Sequence, residues 1–300
     1  MTAFPAAGSG RDGWRKGILL ALCATACFAA LDTSAKFLTE SLDVLQIVWG
    51  RYLFHFLIFT IAILVRSEPK RVIRTARPAL QTARALLLLG ATFTFWLSLA
   101  FLPLAQAVVI AFATPLLVTA LSVPFLKEKV GLHRWSAVVA GLFGVAIIVA
   151  PAEADLHWAQ FLPLLTALIY AGYQIATRIV SRTDGTMTSM FYSGLGGMIV
   201  TSALVPLVWT DPSAFQWGML IWMGALGGGG HFLLVQALTV APASLLAPFQ
   251  YSTLLWATLL GYIVFAELPG ANTLIGAVII ICSGLYIVFR EHRRRLAADA

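Results

Sequence analysis

The sequence predicts an all-α polytopic membrane protein: ten transmembrane helices forming two inverted five-helix repeats, with the N- and C-termini cytoplasmic. Three observations carry this. Hydrophobic residues make up 60% of the chain and charged residues only 11%, with a mean hydropathy of +0.88. A soluble domain is about 25% charged, so this chain has too few charges to cover a water-facing surface. The basic residues alternate between connections, and the second half of the chain aligns on the first.

Apolar runs near the ~20 residues needed to cross a bilayer recur along almost the whole length. They place spans at 17–37, 44–65, 80–101, 105–125 and 135–150, then at 159–179, 187–208, 218–238, 244–265 and 273–289. The first run continues past Ala24-Thr25-Ala26, so it is read as a retained helix and not as a cleaved signal peptide. Cys23, Cys27 and Cys282 lie in apolar spans without metal-type spacing and read as small packing residues. No metal site and no cofactor is expected.

The net charge of +7 could suggest nucleic acid, but its placement argues otherwise. Eighteen of the twenty Lys and Arg fall before the first span, between spans 2 and 3, 4 and 5, and 6 and 7, or after span 10. The connections on the other side have none. This is the positive-inside pattern, with no nucleic-acid partner implied. Arg66, Lys70, Arg71, Arg74, Arg77 and Arg84 are all counted with the second connection, and Lys36 and Arg51 are left inside spans.

A shift of 139 positions lays the stretch from Pro103 on the stretch from Pro242 without a gap to Val149, with ten identities in 47 positions. Pro103 meets Pro242, Thr114 meets Thr253, Glu128 meets Glu267 and Gly131 meets Gly270. A weaker match aligns Lys36 with Arg178. Five spans separate equivalent positions, an odd number, so the halves run in opposite senses about a pseudo-two-fold axis in the membrane plane. Such inverted repeats are characteristic of secondary transporters with a mid-membrane site. The units expected are 15–150, 157–290 and a basic tail at 291–300.

The paired "PFLKEKVG" and "VFAELPG" stretches, together with "DTSAKFL…VLQIVWGRYLF" over spans 1 and 2, resemble the drug/metabolite transporter superfamily, EamA family. The likeness covers nearly the whole chain and is nearest to the exporters of aromatic and neutral amino acids. It implies a central cavity between helices 1, 3, 4, 6, 8 and 9, with helices 5 and 10 peripheral. It also implies movement of amino acids or other small metabolites, commonly export, and transfers no substrate-binding residue by pattern.

The polar residues inside the spans supply the site candidates. "GALGGGGH" from Gly224 matches neither dinucleotide nor P-loop spacing. Gly224 and Gly228 form a GxxxG pair suited to close helix approach, and His231 continues their stripe toward protein or cavity. Asp32, Lys36 and Arg51 are read as the charges well inside the bilayer, where a charge faces a partner or water. Asp32 and Lys36 are spaced to pair on one helix, and Lys36 can alternatively snorkel to the outer surface. For Asp32 and Arg51, structural pairing and substrate contact both stand open.

Helix 9 gathers Gln250, Tyr251, Ser252 and Thr253 after Pro248, and Thr114-Pro115 lies at the equivalent depth. Helix 6 adds Tyr170, Tyr173 and Gln174, and helix 3 adds Phe95 and Trp96. Together they outline an aromatic, amide-rich cavity with little formal charge, suited to a neutral or zwitterionic metabolite. Glu128 and Glu267, at opposite faces, are candidates for gating or for capping loops.

The expectation is a multi-pass inner-membrane secondary transporter, monomer or homodimer, exporting small neutral or zwitterionic metabolites, amino acids including aromatic ones, by alternating access. The alternatives are uptake of a cofactor-like metabolite (S-adenosylmethionine, riboflavin or nucleoside-like) and a channel. An enzyme is not expected: His55, His133, His157, His231 and His292 look scattered and no catalytic motif is present.

Overall fold

The computed structural model describes residues 11–65, 72–128, 130–149 and 158–298. Arg66, Lys70, Arg71, Lys129, Ala150 and His157 lie outside the described residues, and for 291–298 only the backbone is described. Among the described residues every regular element is helical.

Ten membrane helices follow the ten apolar runs: α1 (Arg11–Leu38), α2 (Val44–Val65), α3 (Pro78–Leu99), α4, α5 (Leu132–Val149), α6 (Phe161–Val180), α7 (Thr186–Leu204), α8 (Ala214–Val240), α9 and α10 (Ala271–Ala298). Helix α4 is two segments, Leu104–Ala111 and Thr114–Leu126, and α9 (Ser252–Phe265) is preceded by a 3₁₀ stretch, Ala247–Tyr251. The large apolar side chains left exposed on the outer helix faces, such as Val139, Phe143, Leu255 and Ile263, suit lipid contact.

The inverted repeat holds at the level of single backbone bonds. Helix α4 ends at Lys127 and α9 at Ala266, both left-handed with φ 55°. In each, the next amide reaches back six residues: Glu128 N–H donates to Ser122 O at 3.3 Å, and Glu267 N–H to Gly261 O at 3.1 Å. These are two Schellman-type ends at positions 139 apart, so the coincident glutamates mark a repeated turn. The mid-helix breaks also correspond. Phe112 and Tyr251, again 139 apart, touch each other with ring centroids 5.0 Å apart.

Lipid tails are as apolar as Leu, so helices associate through close packing and small residues. Helices α5 and α10 pack together where Gly144 and Gly276 meet: a Cβ on Gly144 would sit 3.1 Å from the Gly276 carbonyl. Helix α8 meets α2 through Gly224, where a Cβ would lie 2.9 Å from the His55 backbone nitrogen. Gly228 is not part of that seam. Its Cβ would find only the His55 ring, at 3.8 Å, so the expected GxxxG pair reduces to one contact glycine. The second tight position is Gly230, against the Phe28 ring at 2.9 Å.

Candidate functional site

Midway along the helices lies a small cavity of about 60 Å³ lined by Arg51, Tyr52, His55, Leu88, Tyr173, Met190, Ser193, Gly194 and His231. These come from α2, α3, α6, α7 and α8. Helices α2 and α7 therefore contribute where the family resemblance pointed to α1, α4 and α9.

Arg51 and His55 sit one turn apart on the same face of α2. The Arg51 Nη1 donates to Thr92 Oγ1 at 2.9 Å, and its guanidinium lies 5.1 Å from the Tyr52 ring and 5.4 Å from the Trp96 ring. Trp96, only 2% exposed, donates from Nε1 to Asp32 Oδ1 at 3.0 Å. Asp32 thus faces Trp96 and not Lys36, so the i, i+4 pair does not form. His231 packs edge-on against Phe28 at 5.1 Å and against His55 at 6.1 Å. The two histidines are neighbours although far apart in sequence. Tyr170 stacks on Tyr173 at 5.3 Å with 20° between the rings.

Below the cavity Arg84, which is 2% exposed, is a membrane-embedded side chain and not part of a basic loop. It donates to Tyr173 Oη at 3.0 Å, Ser193 Oγ at 2.8 Å, Gln81 Oε1 at 3.2 Å and the Ser189 carbonyl. Gln81 in turn donates to Asp184 at 2.9 Å, and Asp184 also accepts from Thr75 Oγ1 and from the Ala76 N–H at 3.1 Å. Burial alone would raise the Asp184 carboxyl; the hydrogen bonds from Thr75, Gln81 and Ala76 outweigh it and hold the group below the ordinary carboxylate range. This network ties α3 to α6, to α7 and to the α6–α7 connection on the basic side.

The two glutamates make reciprocal bridges between the halves. Glu267, at the end of α9, pairs with Lys36 at the end of α1 (2.6 and 2.7 Å), and Lys36 also donates to Leu102 O at 2.8 Å. Glu128, at the end of α4, pairs with Arg178 at the end of α6 at 2.6 Å. Lys36 and Arg178 are the residues that the weaker self-match aligns, so each half supplies one acid and one base. Over the Lys36–Glu267 pair lies a polar vestibule of about 360 Å³, lined by Thr39, Glu40 and 99–103.

Asp32, Arg51, Trp96, Tyr170, Tyr173 and His231 are therefore brought together. The others are not. Phe95 packs on the apolar core, Thr114 Oγ1 bonds its own helix at Ala111 O, and Gln174 is exposed on the outer face of α6. Tyr251 turns to Phe112 and Gly284, Ser252 bonds Thr25 at 2.7 Å, and neither Gln250 nor Thr253 lines the cavity. Sequence reasoning missed His55 and Arg84. The signal for His55 was its position four residues after Arg51.

A mid-membrane cavity inside an inverted ten-helix repeat, with an ion pair across the halves toward each face, defines a membrane transporter. The sequence model of the EamA-like transporter family matches residues 15–150 and 157–289, and the chain belongs to that family. It is 27% identical over 281 residues to an S-adenosylmethionine uptake transporter of Rickettsia felis, covering 94% of this chain and 93% of that protein. A riboflavin transporter of Brucella anthropi is 28% identical over 241 residues (78% and 84% covered). A pseudopaline exporter of Pseudomonas aeruginosa is 26% identical over 277 residues (90% and 95% covered). One solved structure superposes with a TM-score of 0.64 at 19% identity over 93% of this chain and 98% of that one, a likeness of fold. None of these three relatives is named as an aromatic amino-acid exporter, so they support the family and not that branch of it.

Proposed function

We propose that the chain is an inner-membrane secondary carrier for a small zwitterionic, cofactor-like metabolite, with S-adenosylmethionine the first candidate and uptake the direction. The observation that carries the carrier reading is the reciprocal pair of ion bridges. One lies near the outer ends of α1 and α9, the other near the inner ends of α4 and α6, and the cavity lies between them. With both formed the substrate is enclosed; opening either one admits it from one side. Glu267 and Glu128 are in this reading the outer and inner gates.

The cavity chemistry suits the substrate class. Tyr173, at the cavity wall with Tyr170 stacked behind it, offers an aromatic surface for a planar heterocycle. Asp32 and Arg51 supply opposite charges. S-adenosylmethionine has both features: adenine and a zwitterionic end. The Rickettsia felis relative supports uptake of this compound. The Pseudomonas aeruginosa relative favours the second reading, export of an amino-acid-like metabolite through the same cavity.

The test is reconstitution into liposomes with labelled S-adenosylmethionine, riboflavin and a set of amino acids, with either face outward. Saturable S-adenosylmethionine flux is the expected result. Amino-acid flux without it would support the second reading, and no flux of any compound would sink both.

A further inference from the structure

We propose that Arg51, His55 and His231 form the carboxylate pole, and Asp32 the ammonium pole, of a site that selects an α-amino-acid headgroup. The inference deepens the transport reading and rests on it.

The geometry starts from unused donors. A guanidinium has five N–H groups in a planar fork that matches a carboxylate. Among the described residues the Arg51 side chain bonds Thr92 and the Tyr52 hydroxyl, which leaves the rest of the fork unspent. It has no salt bridge there, although Asp32 shares Trp96 with it: Asp32 accepts from the indole edge and Arg51 lies over the ring face. The two charges sit close enough for Arg51 to act electrostatically on Asp32, yet they do not meet. Arg51 lines the cavity and Asp32 lies behind it on Trp96, one charge of each sign within the membrane, and a ligand that has both charges fits that polarity.

The histidines favour the carboxylate at the Arg51 end. Both line the cavity, and neither imidazole has a hydrogen-bond partner among the described residues. A neutral imidazole has one N–H to give. Helix α8 leaves the space open with glycine: a Cβ on Gly227 would lie 3.5 Å from His55 Nδ1 and 3.8 Å from Arg51 Nε. The bare backbone of Gly227 thus faces the point where Arg51 and His55 converge. A phosphate fits the Arg51 fork equally well, but a second negative charge would then stand unbalanced opposite Asp32. One positive pole and one negative pole match a zwitterion.

The discriminating experiment compares acids with their decarboxylated amines on purified protein: methionine with 3-methylthiopropylamine, phenylalanine with phenethylamine, and S-adenosylmethionine with its decarboxylated form. Affinity by calorimetry and melting temperature are read for the wild type, Arg51→Gln, Arg51→Lys and His55→Gln. Every acid that binds should do so roughly 10- to 100-fold more tightly than its amine, the ordinary worth of hydrogen bonds to a charged group. Arg51→Gln should erase that ratio by weakening the acids, with the amines bound as tightly as before or more tightly, since a like charge has been removed. Arg51→Lys should keep part of it, having the charge without the fork, and His55→Gln should reduce it several-fold.

Equal affinity for acids and amines in the wild type would overturn the proposal, as would binding of none of the six probes. An Arg51→Gln protein that weakens acid and amine alike would do the same, because that pattern reports structure. If Arg51→Gln fails to fold, the wild-type ratio and the other two variants still decide. Acid selectivity in a protein that moves nothing across liposomes would refute transport and leave the headgroup site standing. Equal flux of both members of a pair would do the reverse.

Discussion

Replacing Glu267 by Gln removes the negative charge from the outer bridge and leaves Lys36 with neutral partners, the Leu102 carbonyl among them. In the intact protein the ammonium contacts both carboxylate oxygens and lies 5.0 Å from the Phe265 ring, while Glu267 also accepts from the Leu104 N–H at 3.3 Å. The Lys36 side chain is 11% exposed and the Glu267 side chain 30%. A fully buried pair broken on one side costs about 3–5 kcal/mol and an exposed one under about 1 kcal/mol. This partly buried pair falls between, at about 2 kcal/mol, or roughly 30-fold in the ratio of closed to open outer gate. Glu128→Gln breaks a bridge whose members are 31% and 54% exposed, and should shift the inner gate by no more than about 5-fold. Leu99, almost fully buried under the vestibule, reports the difference. A single cysteine there, with Cys23, Cys27 and Cys282 replaced, should react with an impermeant maleimide from outside about ten times faster or more in Glu267→Gln, and at the wild-type rate in Glu128→Gln. Exchanging the charges, Lys36→Glu with Glu267→Lys, should restore slow labelling. An unchanged rate in Glu267→Gln would refute the gate.

Two further outcomes are expected. Gly224→Ala should cost about 1–3 kcal/mol, because the new methyl meets the α2 backbone, whereas Gly228→Ala and Gly229→Ala should melt near the wild-type temperature; equal melting of all three would remove the α2–α8 seam. Asp184 is held below its ordinary carboxylate range, so its stabilisation is complete above the unfolded value of about 4 and is lost as pH falls through the lower folded value. Asp184→Asn should therefore melt below the wild type at pH 7, with the gap closing in strong acid; a pH-independent gap would show that the charge is not what the clamp uses.

The fold was legible because bilayer thickness fixes span length and the basic residues fix orientation. The glutamate coincidence in the self-match proved to be two matching helix ends, at Lys127 and Ala266, and the glycine coincidence the starts of α5 and α10, where the Gly131 and Gly270 carbonyls accept first-turn bonds. The site was legible only in part. Asp32, Arg51, Trp96, Tyr173 and His231 stand out because polar or aromatic side chains inside a membrane need partners. His55 was passed over although it lies four residues after Arg51, because its contact with His231 is made only in the folded chain. Arg84 was misread because a charge one turn inside a span looks like the end of a loop, and its partners lie on α6 and α7. The α9 polar cluster was misplaced for a geometric reason. The five-residue 3₁₀ stretch at Ala247–Tyr251 advances about 120° per residue against about 100° in an α-helix, so it rotates the following face by roughly 100° from the α-helical projection.

The central claim is that the cavity opens to one side at a time, and counterflow tests it most directly. Proteoliposomes loaded with millimolar unlabelled S-adenosylmethionine are diluted into a trace of the labelled compound, without any ion gradient. Label should accumulate transiently above its equilibrium level and then decay, and Glu267→Gln should change the rate of that exchange. Label that enters only to equilibrium, in proportion to its concentration and indifferent to the internal load, would identify an open pore and contradict alternating access.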